Sequence, residues 1–150
     1  MDIRESVELA GSPERVFPWV DDLARYPAWL GIVSRVEPAG ELTWLVDLRG
    51  RVGPFARSKR LRMRRTTLVP ARHVVFERRE LDGREHSPWI LQAALEAVPA
   101  GSRLEVRLSY GGSLWGSVLE RVLHDEIGRA KRNLQELVAG DGSVSRAQAP

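Results

Sequence analysis

Metal or general-base chemistry in this chain would have to be built from its three histidines, His73, His86 and His124. They fall on separate segments with neither an HxxxH nor an HE pair, whereas metal sites need several ligands converging on one point. "HDE" at 124–126 puts a histidine beside two carboxylates, but consecutive residues on a helix point in different directions. No serine sits in a nucleophile elbow, and Ser113 and Ser117 read as a helix N-cap and a small first-turn residue. "GGSLWG" at 111–116 echoes a glycine-rich phosphate loop. It lacks the following Lys-Ser/Thr, and no parallel strand comes after it to complete a nucleotide-binding unit. The chain has no cysteine, hence no thiolate and no disulfide framework. No catalytic residue, no metal and no cofactor is therefore expected, and the histidines read as surface residues.

Charge is the second candidate chemistry. Leu48 to Phe76 contains no acid and nine bases (Arg49, Arg51, Arg57, Lys59, Arg60, Arg62, Arg64, Arg65 and Arg72), although the whole chain is only +3. Strand alternation puts Arg60, Arg62 and Arg64 on one face and Leu61 and Met63 on the other. Such a ribbon is either a solvated face written in an arginine-rich codon usage or a docking face for an anionic membrane surface or an acidic protein. Nucleic acid is not expected as a partner, because no rings are interleaved with the arginines and no basic helix is available for a groove. Arg57 and Lys59 share parity with Leu61 and Met63, so one of them can reach inward toward a ligand's carboxylate or phenolate.

The elements that position these residues follow from periodicity. "IRESVEL" alternates as a first strand. Ser12 as N-cap and Pro13 at the first helical position open a helix that Pro18 keeps short or kinked. Asp21 or Asp22 can cap a second short turn, which Pro27 ends. Then come "IVSRVEP", "LTWLVDLRG", "FARSKRLRMRRTTL", "HVVFERRE", "SPWILQAALEAV" and "RLEVRLSY", joined by turn-length connections that imply an antiparallel sheet with one wet face. After Gly111 the period changes to 3.6: Leu119, Val122, Leu123, Ile127, Ala130, Leu134 and Leu137 recur at three and four, up to a stop signal at Gly140. That predicts a helix of about 25 residues, with residues 140–150 as a disordered tail. No apolar run approaches the roughly 20 residues of a membrane span, the N-terminus lacks a signal peptide's pattern, and a cytoplasmic location is expected. A chain of 150 residues is one domain's worth.

The stretch "VELAGSPERVFPWVDDLARYPAWL", residues 7–30, resembles the start of the SRPBCC superfamily, the START-like and polyketide cyclase/dehydrase group. A strand ends in a small residue followed by a Ser-Pro-Glu cap and an aromatic-containing helix, and an Asp-x-x-x-Tyr-Pro-x-Trp segment follows, here Asp22, Tyr26, Pro27 and Trp29. Pro18 departs from the usual helix former at its position. The resemblance implies an α+β helix-grip fold over residues 1–139: a curved seven-stranded antiparallel sheet wrapped around a long C-terminal helix, with two short helices after strand 1 and a cavity between sheet and helix. Coverage argues the same way, because one helix cannot cover a seven-stranded apolar face. Pro27 then lays Tyr26, Trp29 and Leu30 over the mouth or end of the groove.

Candidate ligand-binding residues are therefore Trp44, Trp89, Leu91, Leu104, Val106, Leu108 and Tyr110 from the sheet, Trp115, Leu119, Leu123 and Ile127 from the helix, and Trp29 at the lid. The resemblance implies binding, transport or sensing of a hydrophobic small molecule such as a lipid, isoprenoid or polyketide. A polyketide cyclase/aromatase is the rival reading, but cyclisation needs a positioned acid/base, and Tyr110 is the one obvious proton donor among the inward positions. A regulatory module docking through the arginine ribbon is the third. Reversing Arg60, Arg62 and Arg64 to glutamate is expected to leave folding intact. If the ribbon docks on membranes, the same change abolishes low-salt binding to anionic liposomes in a sedimentation assay. Wild-type protein that ignores such vesicles leaves only the codon-usage explanation.

Overall fold

The computed structural model describes residues 2–52, 54–111 and 113–148, and each of the seven alternating stretches is a strand. The strands are β1 (Asp2–Leu9), β2 (Val33–Gly40), β3 (Thr43–Val52), β4 (Phe55–Val69), β5 (His73–Arg78), β6 (Trp89–Val98) and β7 (Gly101–Tyr110). They form one sheet in the order β1-β7-β6-β5-β4-β3-β2. Every pairing is antiparallel. The alternation of sequence becomes the alternation of faces. On β7, Leu104 and Tyr110 are buried while Arg103 and Glu105 are exposed. On the wet face Arg103 reaches Glu8 of β1 and Glu96 of β6, and Arg4 reaches Glu105, so charges cross-link neighbouring strands.

Between β1 and β2 the prolines act as the sequence predicts. The helix α1 (Pro13–Val16) lasts one turn, then tightens into a 3₁₀ turn over Phe17–Trp19 that contains Pro18. Ser12 occupies the N-cap, but its hydroxyl makes no capping bond; its carbonyl instead accepts from the Arg15 and Val16 amides at 3.0 and 3.1 Å. Asp22 does cap, accepting from the Ala24 amide at 2.9 Å and opening a second 3₁₀ segment, Leu23–Ala28.

The C-terminal helix α2 begins at Ser113 as expected but runs to Gln148, past the predicted stop. Gly140 takes no left-handed φ, so the helix has no glycine C-cap there and the backbone continues. Helical backbone thus occupies most of the stretch expected to be a disordered tail; residues 149–150 lie outside the described residues. No described helix is long and apolar enough to cross a membrane. Along α2, Val122, Leu123, Ala130, Leu134 and Val138 are buried at helical spacing. The helix packs against both β1 and β3, strands from opposite sides of the sheet, which requires the sheet to curl around it.

Two close approaches fix this arrangement. Gly101, at φ +144°, lies where the end of β1 crosses the start of β7; a Cβ there would sit 2.2 Å from the Leu9 carbonyl oxygen and 2.7 Å from the Gly11 amide nitrogen. Beside it the buried Ser102 hydroxyl donates to the Gly11 carbonyl at 2.6 Å. On the other side of the molecule a Cβ at Gly50 of β3 would lie 2.9 and 3.1 Å from the two γ-carbons of Val122 on α2. Gly101→Ala is expected to destabilise the fold by at least about 2 kcal/mol in urea unfolding, through clash and backbone strain together. Gly140→Ala, exposed in continuing helix, is expected to gain about 0.5–1 kcal/mol. A loss at position 140 would mean the helix ends there in a left-handed cap.

Candidate functional site

The segment after α1 builds one wall of the interior. Tyr26 is wholly buried and its hydroxyl donates to the Val20 carbonyl at 2.9 Å. The Trp29 indole nitrogen donates to the Trp19 carbonyl at 3.0 Å. Both rings therefore have their polar atoms satisfied by the segment itself and turn their faces inward. They lie 4.8 Å apart, centroid to centroid, and Tyr26 meets Phe76 of β5 edge-on at 6.2 Å. Asn133 of α2 donates to the Trp29 carbonyl at 3.5 Å, which ties this wall to the helix.

Behind it lie two adjoining apolar cavities. One, of about 110 Å³, is bounded by β1, β6, β7, Trp29, Leu30 and α2; Leu104, Val106, Ile127 and Leu134 line it. The other, of about 70 Å³, lies toward β3 and β4 and is lined by Tyr26, Val46, Leu61, Met63 and Trp89 among others. Leu30, Leu91, Leu108 and Leu123 line both, so the two adjoin. Dry apolar cavities of about 150 Å³ hold benzene, whereas drug-sized ligands occupy roughly 300–1,000 Å³. The larger cavity is thus smaller than one that holds a single ring, and a ligand of any length requires the shared leucines to change rotamer. At the mouth, Lys131 of α2 pairs with Glu5 of β1 at 2.9 Å. Beside that pair an open cleft of about 790 Å³ of mixed character lies along α2, where Asp2, Arg51, Glu120 and His124 meet Ile3, Leu123 and Ile127 of the larger cavity.

The groups able to move protons sit badly for it. Burial pushes the Tyr26 phenol far up from its ordinary range, with Asp21 adding to the shift. Burial, then the Glu120 carboxylate, also raises Tyr110. Each phenol therefore holds its proton at neutral pH. Asp21 is raised by burial, but its backbone carbonyl is engaged by Arg65 at 3.0 Å, and it lines neither cavity.

Of the residues predicted to face a ligand, Trp29, Leu91, Leu104, Val106, Leu108, Leu123 and Ile127 line one or both cavities, and Trp89 lines the smaller. Trp44 and Tyr110 line neither. Trp44 packs its ring edge-on to Phe76, which lines neither cavity, at 5.6 Å, and Tyr110 stacks at 5.2 Å on Trp89, one layer behind the wall of the smaller cavity. The side chains of Trp115 and Leu119 lie outside the described residues. Ile3 and Val7 of β1, and Ala130 and Leu134 of α2, line the larger cavity although they were not singled out. Their signal was present: β1 alternates in the same sense, and Ala130 and Leu134 continue the Leu123–Ile127 stripe.

On the outer face Arg60 is held by Asp47 through bonds of 2.7 and 3.2 Å, and Arg62 donates to the Arg79 carbonyl at 2.9 Å, while Arg64 is exposed. The ribbon thus has part of its charge matched within the sheet. His86 is exposed and sits 2.9 Å from Asp82. Among the described residues no group of three His, Asp or Glu side chains converges as a metal site.

Residues 1–139 match the model of a family described as polyketide cyclase / dehydrase and lipid transport. No functionally curated protein matches the chain. Among solved structures, a conserved protein from Geobacillus kaustophilus superposes with a TM-score of 0.71 at 18% identity, covering 93% of this chain and 96% of its own. A START superfamily protein from Mycobacterium smegmatis gives 0.66 at 14% identity, over 93% and 97% of the two chains. StfQ, the di-domain aromatase/cyclase of the steffimycin biosynthetic pathway, gives 0.64 at 15% identity, over 95% of this chain and 51% of its own. These likenesses establish a common helix-grip fold.

Truncation separates cavity wall from packed core. Phe76→Ala, at a wholly buried position away from both cavities, is expected to cost about 3–5 kcal/mol. Leu123→Ala, which borders space on two sides, is expected to fall near the bottom of the 2–5 kcal/mol range for leucine, about 2 kcal/mol. Equal losses in urea unfolding, scaled for side-chain size, would mean that the cavities are closed in solution.

Proposed function

We propose that this chain, which belongs to the polyketide cyclase/dehydrase and lipid transport family, binds a hydrophobic small molecule, such as a lipid, isoprenoid or polyketide, between its sheet and α2, for transport or sensing. The observation that carries this reading is the pair of adjoining apolar cavities, both lined by Leu30, Leu91, Leu108 and Leu123. Apolar surface left unfilled inside a fold forgoes packing, and a ligand that occupies it recovers roughly 25 cal/mol for each Å² taken from water. Rotation of the four leucines joins the cavities into one elongated space running from the Glu5–Lys131 mouth to Trp89.

Cyclase chemistry is the alternative, favoured by the fold shared with StfQ. It needs an acid or base within hydrogen-bond reach of the folded chain. Among the described residues the one carboxylate bordering the larger cavity, Glu5, is paired with Lys131, and the Tyr26 hydroxyl is already committed to Val20. That geometry supports binding over catalysis. Docking through the arginine ribbon receives less support, since Arg60 and Arg62 are engaged within the sheet.

Trp29 and Trp89 line the two cavities and serve as internal reporters. Titration with a panel of fatty acids, isoprenoid alcohols and polyaromatic compounds is expected to change tryptophan emission and raise the melting temperature for at least one class. Ala130→Leu, which fills the larger cavity, is expected to raise the Kd at least about tenfold for any ligand found, by removing space rather than contacts. A panel that shifts neither signal, together with an Ala130→Leu protein that merely melts higher, would show the cavities to be packing defects.

A further inference from the structure

β4 is the longest strand, 15 residues from Phe55 to Val69, and it outruns its neighbour. Its last pair with β3 is Arg64 with Thr43, after which the Arg65 amide donates to the Leu42 carbonyl in the β2–β3 turn at 2.8 Å. Beyond that point β5 still pairs with Thr67, Leu68 and Val69, but among the described residues no strand lies on their other side. The sheet therefore has a short free edge inside its own outline, from Thr66 to Val69. Every residue of that edge is exposed. Of the four large apolar side chains left exposed among the described residues, three stand here: Leu68, Val69 and, on the adjoining turn, Leu42. Leu42 also holds a left-handed φ of 53°, a conformation that suits glycine or asparagine and strains leucine. An apolar residue is thus kept in a turn where both backbone and solvent disfavour it.

The two lateral edges of the sheet are protected against pairing. β2 carries Pro38, two breaks in register and the Arg35–Glu37 ion pair, all of which deter strand addition. β1 is covered from α2, whose Lys131 binds Glu5 and whose Gln135 donates to the Glu8 carbonyl at 3.4 Å. The β4 edge is different. Residues 66–71 read Thr-Thr-Leu-Val-Pro-Ala, without a charge, and the one irregularity, at Thr66, precedes the apolar pair. Of the arginines just before it, Arg65 is turned to the Asp21 carbonyl and Arg64 stands across from Glu77 on β5. The charges that remain are opposite in sign and lie at opposite ends: Glu41 beside Leu42 where the free edge begins, and Arg72 after the β4–β5 turn where it finishes. Both are exposed, and neither side chain has an ion-pair partner among the described residues.

We propose that a second copy of this chain pairs with this edge, antiparallel and related by a two-fold axis at Leu68. Two free edges of one sequence then complete each other: Thr67 comes opposite Val69 of the second copy, and Leu68 opposite Leu68. The two-fold reverses the ends, so Glu41 of each copy approaches Arg72 of the other, and opposite charges bracket an apolar centre. That reciprocity is what favours a second copy over an unrelated strand. The paired segment is short, so the contact is small and the dimer is a weak one that fills as concentration rises.

The chain has no cysteine, so a single introduced one reports its own surroundings. Leu68→Cys lies on the axis and is expected to form a disulfide-linked dimer under mild oxidation about tenfold or more faster than Leu81→Cys. Exposure alone would give the reverse order, since Leu81 is 79% exposed and Leu68 42%. Sedimentation equilibrium of the full chain over about 10–500 µM is expected to show a monomer–dimer equilibrium. Leu68→Lys, a charge of the kind that guards natural edges, is expected to leave a folded monomer. Glu41→Arg is expected to weaken the dimer several-fold, and adding Arg72→Glu to restore it. Should Leu68→Lys fail to fold, the charge reversals decide alone. A wild-type chain that stays monomeric throughout this range overturns the proposal. So does a dimer that these changes leave intact, or one that Leu81→Cys traps as fast as Leu68→Cys, because it forms through another surface.

Discussion

A seven-stranded sheet with one apolar face presents more surface than a single helix can cover, and this mismatch governs the rest of the molecule. Curling the sheet brings β1 and β3 to opposite sides of α2 and covers part of the surface. The one-turn α1 and the two 3₁₀ segments after it cover another part, which is why Val16, Phe17, Val20, Leu23, Tyr26 and Trp29 are all buried within so short a stretch. What is left uncovered is interior space. The cavities are the remainder after covering, and their apolar lining follows from the alternation that built the sheet. A solution with a second long helix would have left a solid core.

Polar groups are arranged to keep that remainder dry. Each ring of the short segment satisfies its heteroatom against a neighbouring backbone carbonyl, so Tyr26 and Trp29 present only carbon to the interior. On the wet face, arginines of β1, β4 and β7 bind acids on adjacent strands, which makes the high arginine content a set of cross-strand ties as much as a surface charge. The free end of β4 breaks this pattern, with Leu68 and Val69 left in water. Departures from such consistency in a folded chain are where function concentrates.

The sequence made the sheet almost wholly legible, because period-two alternation specifies both strand and face, and turn residues separate the strands. The change to a 3.6 period located α2, and the Tyr-Pro-x-Trp segment marked residues that form one wall of the interior. Other features were less legible. Alternation says which residues point inward but not how deep each lies across a curved sheet, so Trp44 and Tyr110 were indistinguishable from Leu104 and Leu108. Glycine after a helical stripe reads as a stop only if it adopts left-handed φ, and Gly140 does not. The early end of β5, where the chain leaves the sheet for the loop at 79–88, has no periodic signature. Parity alone did place Lys59 inward, where its ammonium sits 5.9 Å from the Trp89 ring centroid, but Lys59 lines neither apolar cavity.

Gly50 gives the helix its standing distance. Val122 packs its two methyl groups into the space that a side chain at position 50 would need, and a β-branched residue on a helix cannot rotate out of the way at low cost. Any larger residue there would act as a spacer, lifting this part of α2 from β3 and widening the interior with it. The volume of the interior is therefore adjustable from a residue that lines neither apolar cavity. A designer seeking room for a bulkier guest could start at this gauge, behind the helix, and leave every lining side chain as it is.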